Sequence, residues 1–178
     1  MKFFKVQELR GIMQIKAMSA FVPPVEGHPN RVPFEGVLAK VDVPSDRPPS
    51  GSRGHRVLLT RQAAEDALPT LLGMAIDYRP GWDGHDARRK IGILTDVNLI
   101  GRKLHVQGFI YARDFPEVTA SILSQHHDAM GMSYEVSDAK VEDVRSDIWK
   151  LTRVTFTGAA ILLRGKAAYA DTSFKVKR

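Results

Sequence analysis

Apolar and polar residues alternate along much of this chain with a period of about two, the pattern of strands that turn one face to a core. Phe34 to Val43 reads as such a strand, and His55 to Leu59 and Met74 to Tyr78 as two shorter ones. Ile91 to Leu99 and Leu104 to Tyr111 flank Gly101-Arg102-Lys103 and predict a hairpin. Val136 to Val144 is polar and reads as strand, then turn. Trp149 to Leu163 is a long β-favouring run in which Leu151, Arg153, Thr155 and Thr157 share one face, and Gly158 marks a bend or bulge within it. The period lengthens twice. Thr60 is placed to cap a helix over Arg61 to Leu68, with Pro69 forcing a kink or a new first turn, and Asp114 to cap another that starts at Phe115-Pro116-Glu117 and runs to about His127.

Between these elements the composition breaks. Pro23-Pro24-Val25-Glu26-Gly27-His28-Pro29-Asn30 interrupts any regular structure, so residues 1–33 are expected to form an arm or peripheral strand. Residues 34–172 form one domain, and 173–178 a basic tail after a turn at Arg164-Gly165-Lys166. Residues 44–54, dense in Pro, Gly and Ser, and 79–90, which carry His85, are expected to be mobile loops because little in them can be buried. The elements add up to an α+β fold, a mainly antiparallel β-barrel or sheet of about seven strands packed by two or more helices.

At 178 residues, with 43% hydrophobic and 26% charged, the chain can bury a real core. It has no cysteine, which excludes disulfides, thiolate metal sites and cysteine nucleophiles together. The first ten residues are broken by charge and no apolar span follows, so a soluble protein with no membrane partner is expected. A formal charge of +6 invites a nucleic-acid reading, but the basic clusters are only Ala87-Arg88-Arg89-Lys90 and Lys175-Val176-Lys177-Arg178. No aromatic-interleaved basic strand accompanies them, and the charge is better read as an aid to docking acidic protein partners.

Candidate chemistry centres on Met130-Gly131-Met132-Ser133-Tyr134-Glu135 and on His85 in its Gly/Asp-rich loop. A serine hydroxyl is a poor nucleophile until a base takes its proton, and histidine is suited to that near neutral pH. Gly131 permits a close backbone approach just before Ser133, which opens a strand. A strand-entry serine is commonly structural, and spacing alone does not decide between the two. Glu135 replaces the last glycine of G-x-S-x-G, which disfavours an α/β-hydrolase elbow, and no Gly-rich phosphate loop is present. His126-His127-Asp128 lacks a third ligand at metal spacing and reads as a helix C-terminal pair; His28, His55 and His105 read as structural or exposed. No cofactor and no metal are expected.

Lys90-Ile91-Gly92-Ile93 after a loop histidine, a strand pair, a helix from Phe115-Pro116-Glu117, Gly131-Met132-Ser133 and then Leu151-Thr152-Arg153-Val154-Thr155-Phe156-Thr157-Gly158-Ala159-Ala160 come in an order that resembles the prohead (capsid maturation) proteases of tailed bacteriophages, which share their fold with herpesvirus assemblin. The resemblance covers roughly residues 34–172. It implies a serine endopeptidase, with Ser133 as nucleophile and His85 as general base, that cleaves scaffold protein and major capsid protein inside the immature capsid, in the host cytoplasm, as a homo-oligomer. Arg164 falls near the place of an arginine that supports the oxyanion in assemblin. The acid found in many phage members is replaced by Arg153, which cannot accept an imidazole N–H. Glu135 is then the first choice to orient His85, with Asp77, Asp86 and Thr155 as alternatives. Loss of the acid also leaves open a non-catalytic capsid-assembly or scaffold-associated domain of the same fold.

Overall fold

The computed structural model describes residues 16–19, 22, 25–126 and 128–177. They form β1 (Lys16–Ser19), β2 (Val32–Lys40), β3 (Arg56–Leu59), α1 (Arg61–Leu71), β4 (Ala75–Tyr78), β5 (Lys90–Ile100), β6 (Lys103–Ile110), α2 (Pro116–Ser124), β7 (Met130–Val141), β8 (Ile148–Leu163), a 3-10 turn (Arg164–Lys166) and β9 (Ser173–Val176). The fold is α+β, with a single curled, mixed sheet. Its continuous path is β7-β8-β4-β5-β6-β2-β9, seven strands, with β3 on β8 and β1 on β5 as side branches. Pairing is antiparallel except for β3 and β4, which both run parallel to β8. The ends of the path approach each other where β7 and β9 meet Gly36 of β2. A Cβ at Gly36 would collide with the Ser173 carbonyl and come 2.6 Å from Met132 Sδ, so only glycine admits this closure.

The inside of the curl is the core, with Phe34, Leu38, Ile76, Leu94, Phe156 and Ile161 among its buried side chains. Helix α1 packs on β8 and buries Ala63, Ala64, Ala67, Leu68 and Leu71. As expected, Thr60 caps it, accepting from the Ala63 N–H at 3.2 Å. The helix continues through Pro69 to Leu71. Thr70 bonds back to Ala67 O at 2.7 Å and accepts from Phe156 N–H at 2.9 Å, which ties the last turn to β8. No helix among the described residues is long and apolar enough to cross a membrane.

The β5–β6 hairpin forms as expected, with Gly101 at φ +58° in its turn, and the expected irregularity at Gly158 is a register shift between Glu135↔Gly158 and Val136↔Phe156. Several expectations are corrected. Helix α2 ends at Ser124, and Phe115 occupies its cap position while Asp114 accepts from Asn30 Nδ2 at 3.1 Å; His127 lies outside the described residues. Leu151 does not share a face with Arg153: Leu151 is buried and Arg153 exposed, because β7 and β8 shift register between Lys140↔Arg153 and Val141↔Leu151. The stretch expected as a basic tail is β9, paired with β2, with Phe174 packed on Phe34 at 4.8 Å.

Both loops expected to be mobile are bonded to the body. In 44–54, Ser45 and Val57 exchange Ser45 N–H to Val57 O at 2.7 Å and Val57 N–H to Ser45 Oγ at 3.0 Å, and Asp46 N–H reaches Ala168 O at 2.8 Å. In 79–89, Leu163 N–H donates to Trp82 O at 2.8 Å and the Trp82 ring packs on Tyr78. Composition reports how little apolar surface a loop has; it does not report where the backbone finds partners.

Candidate active site

Four strands bring one row of residues together. Lys90 on β5 pairs with Asp77 on β4, Asp77 with Ala160 on β8, and Ala160 with Ser133 on β7. Side chains at paired positions leave the sheet on the same side, here the side away from the core that takes Ile76 and Tyr78 of β4 and Met132 and Tyr134 of β7. Two strand spacings set Asp77 and Ser133 backbones roughly 10 Å apart. The Ala160 methyl keeps the ground between them low. Two residues along β7, Glu135 shares the face of Ser133 and sits opposite Gly158. A Cβ at Gly158 would lie 3.0 Å from Glu135 Oε2, so the carboxylate lies across β8 in the space that a side chain would take.

The 79–89 loop folds back over this row and brings His85 to both acids. His85 Nδ1 is 3.6 Å from Asp77 Oδ1 and 3.5 Å from Glu135 Oε1. Beyond the Trp82 anchor, the Asp86 N–H donates to Asp77 Oδ1 at 3.2 Å and fixes the residue next to the histidine. Asp77 is completely buried, and its other oxygen accepts from Lys90 Nζ at 3.1 Å. Burial alone would raise the Asp77 carboxyl, but the neighbouring His85 ring and Lys90 ammonium outweigh it and hold the group below the ordinary carboxylate range. Asp77 is therefore a carboxylate at neutral pH.

Both ring nitrogens of His85 are shielded from solvent and lack a hydrogen-bond partner among the described residues. The contacts of Nδ1 with the acids are thus long ion-pair distances, and the half-buried Ser133 makes no hydrogen bond to Nε2. Carboxylates on the Nδ1 side favour the tautomer with its proton there, which leaves Nε2 a base.

The other candidates are placed as follows. Asp86 spends its carboxylate on Arg88 and Arg89, whose bonds lower its pKa, and it meets Asp77 only through its backbone. Thr155 pairs with Ser137, beyond the register shift, and Arg153 with Lys140. Arg153 is seven residues along β8 from Ala160, on the order of 20 Å, so the position read from the motif order as the orienting acid lies far from His85. Arg164 backs onto Gly131, where a Cβ would come 3.1 Å from Arg164 Cα and 2.6 Å from Thr172 Oγ1. Its Nε donates to Thr172 O at 3.2 Å and its Nη2 lies 3.9 Å from Asp128, so its guanidinium is engaged at the start of β7.

Asp77, His85 and Glu135 each offer a ligand atom within 4.8 Å of the others, a set that can hold a metal ion and that reading of the His126 region did not anticipate. Its fit to a divalent cation is poor, because Lys90 already places a positive charge on Asp77. Sequence reading also missed Lys90 as a member of the site; its signal was a place in the motif that follows the loop histidine.

Fold and site together define an α+β protein with one curled sheet and, on its outer face, a serine, a histidine and two acids. No family model matches the chain, and no curated protein matches it. Among solved structures the chain is similar to the KSHV protease, determined in complex with a hexapeptide phosphonate inhibitor, at 11% identity and a TM-score of 0.45. The match covers 80% of this chain and 64% of that one.

Proposed function

We propose that the protein is a serine endopeptidase in which Ser133 is the nucleophile, His85 the general base and the Asp77/Glu135 pair the orienting acid. The observation that carries the reading is His85 Nδ1 set 3.6 and 3.5 Å from two carboxylates on the sheet face that also bears Ser133. Ser133 Oγ attacks the scissile carbonyl as Nε2 takes its proton; the imidazolium, stabilised by the acids, returns that proton to the leaving amine. Water, activated by the same ring, then releases the acyl group. Compared with the sequence expectation, Asp77 joins Glu135 as an orienting acid, because Asp77 is wholly buried while Glu135 is about a third exposed. The physiological substrates proposed are phage scaffold and capsid proteins during prohead maturation, which rests on the order of motifs from His85 to Ala160.

The second reading, a non-catalytic capsid-assembly domain, rests on the absent Ser133–His85 hydrogen bond. Catalytic hydrogen bonds are often long in resting enzymes and tighten with substrate, so the first reading is preferred. Labelling with a fluorophosphonate, followed by mass spectrometry, separates the two. Modification at Ser133 that vanishes in Ser133→Ala and His85→Ala supports the peptidase, with loss of turnover on the order of 10⁴-fold or more. A folded wild-type protein that neither labels nor cleaves scaffold supports the assembly role.

A further inference from the structure

Two carboxylates facing one imidazole nitrogen repel each other, and the structure contains two features that let them share it. Lys90 Nζ lies 3.1 Å from Asp77 Oδ2 and 3.8 Å from the point where a Gly158 Cβ would stand. Glu135 Oε2 lies 3.0 Å from that same point. Lys90 is therefore the direct counter-charge of Asp77 and lies beside the same open space over Gly158 as the Glu135 carboxylate, and the missing side chain of Gly158 is the opening through which Glu135 reaches across β8. We propose that Lys90 and Gly158 are positioning residues for His85, Lys90 acting through Asp77 and Gly158 through Glu135, a proposal that deepens the peptidase reading and rests on it for its catalytic consequence.

Lys90 and Gly158 act on different acids and are separable. An alanine methyl at 158 meets the far end of a flexible side chain and no backbone, so the Glu135 carboxylate must give by a few tenths of an ångström while the strand stays. Asp77 and its Lys90 contact are untouched. Removal of the Lys90 charge instead frees Asp77 Oδ2 and leaves two like charges side by side. Arginine at 90 keeps a cation on Asp77 and should restore what methionine loses.

Two readouts on the full chain test this: the rate of fluorophosphonate labelling at Ser133, and the His85 tautomer from long-range ¹H–¹⁵N NMR, which needs no turnover. Gly158→Ala is expected to slow labelling about tenfold with an unchanged melting temperature. Glu135→Ala is expected to slow it at least as much, and the double variant to be no slower than Glu135→Ala, because both changes act on the one contact between Glu135 and His85. Lys90→Met is expected to slow labelling to a similar degree, and Lys90→Arg to stay within about twofold of wild type. In Gly158→Ala and Lys90→Met the share of His85 protonated on Nδ1 should fall. Wild-type tautomer populations in both variants would overturn the proposal, as would multiplicative losses in the Gly158→Ala/Glu135→Ala protein. If the wild type does not label at all, the peptidase reading fails, while the tautomer measurement still decides whether Lys90 and Gly158 position the ring.

Discussion

The two halves of the β7–β8 ribbon are built from the same two strands and do different things. Near the site, Met130 to Glu135 pairs with Leu163 to Gly158 without a break, and alternate residues Met132, Ala159 and Ile161 are wholly buried. Away from it, Ser137 to Lys140 are exposed and the register shifts twice before Val141↔Leu151. The site sits in the half where a regular ladder and a packed inner face hold each outer side chain at a fixed height. Thr157 is the extra residue between Gly158 and Phe156, and it separates the halves. Alternation in the ordered half defines a usable face, whereas in the distal half it places residues such as Arg153 where they cannot reach the histidine.

The largest effect is expected on the inner face where the two halves join, at the residue that pairs with Val136 just past the shift. Phe156→Ala, at 2% exposure, is expected to cost about 3–5 kcal/mol in urea unfolding, because it empties a core site packed edge-on against the Tyr134 ring. Asp77→Asn comes next, at about 2–3 kcal/mol at neutral pH, since it leaves the Lys90 ammonium without its buried partner. The pH dependence has a definite sign. The folded Asp77 pKa is depressed, so its stabilisation is present above the unfolded value near 3.8 and is lost as pH falls through the lower folded value. Melting temperatures of wild type and Asp77→Asn should therefore converge below about pH 4; a constant gap down to pH 2.5 would remove the ion pair from the explanation.

A smaller effect is expected at the same join. Thr70→Val removes the acceptor of the Phe156 N–H and is expected to cost about 1–2 kcal/mol, measured by thermal melting. The smallest effect is expected in the distal half. Arg153→Glu, which restores an acid at the position suggested by the motif order, should change stability by no more than about 0.5 kcal/mol and leave Ser133 labelling at the wild-type rate. A faster rate would show that the distal half does reach the site.

The local parts of this protein were legible in its residues. Alternation marked the β5–β6 hairpin, Thr60 announced its helix, Gly158 its irregularity, and the spacing of two put Ser133 and Glu135 on one face. Each of these depends on neighbours within a few positions along the chain. The parallel register of β4 on β8, which lines Asp77 up with Ala160 and so with Ser133, depends on how distant apolar faces pack, and no short segment encodes it. For the same reason Asp77 could not be ranked above Asp86, Arg153 could not be seen to stand far from His85, and the last residues could not be seen to pair with β2 as β9. Sequence alone determined which side chains could do chemistry and, in an unbroken run such as Ser133 to Glu135, which of them share a face; the packing of the curled sheet decided where the ladders shift and which side chains meet, because register between distant strands is settled by the whole core at once.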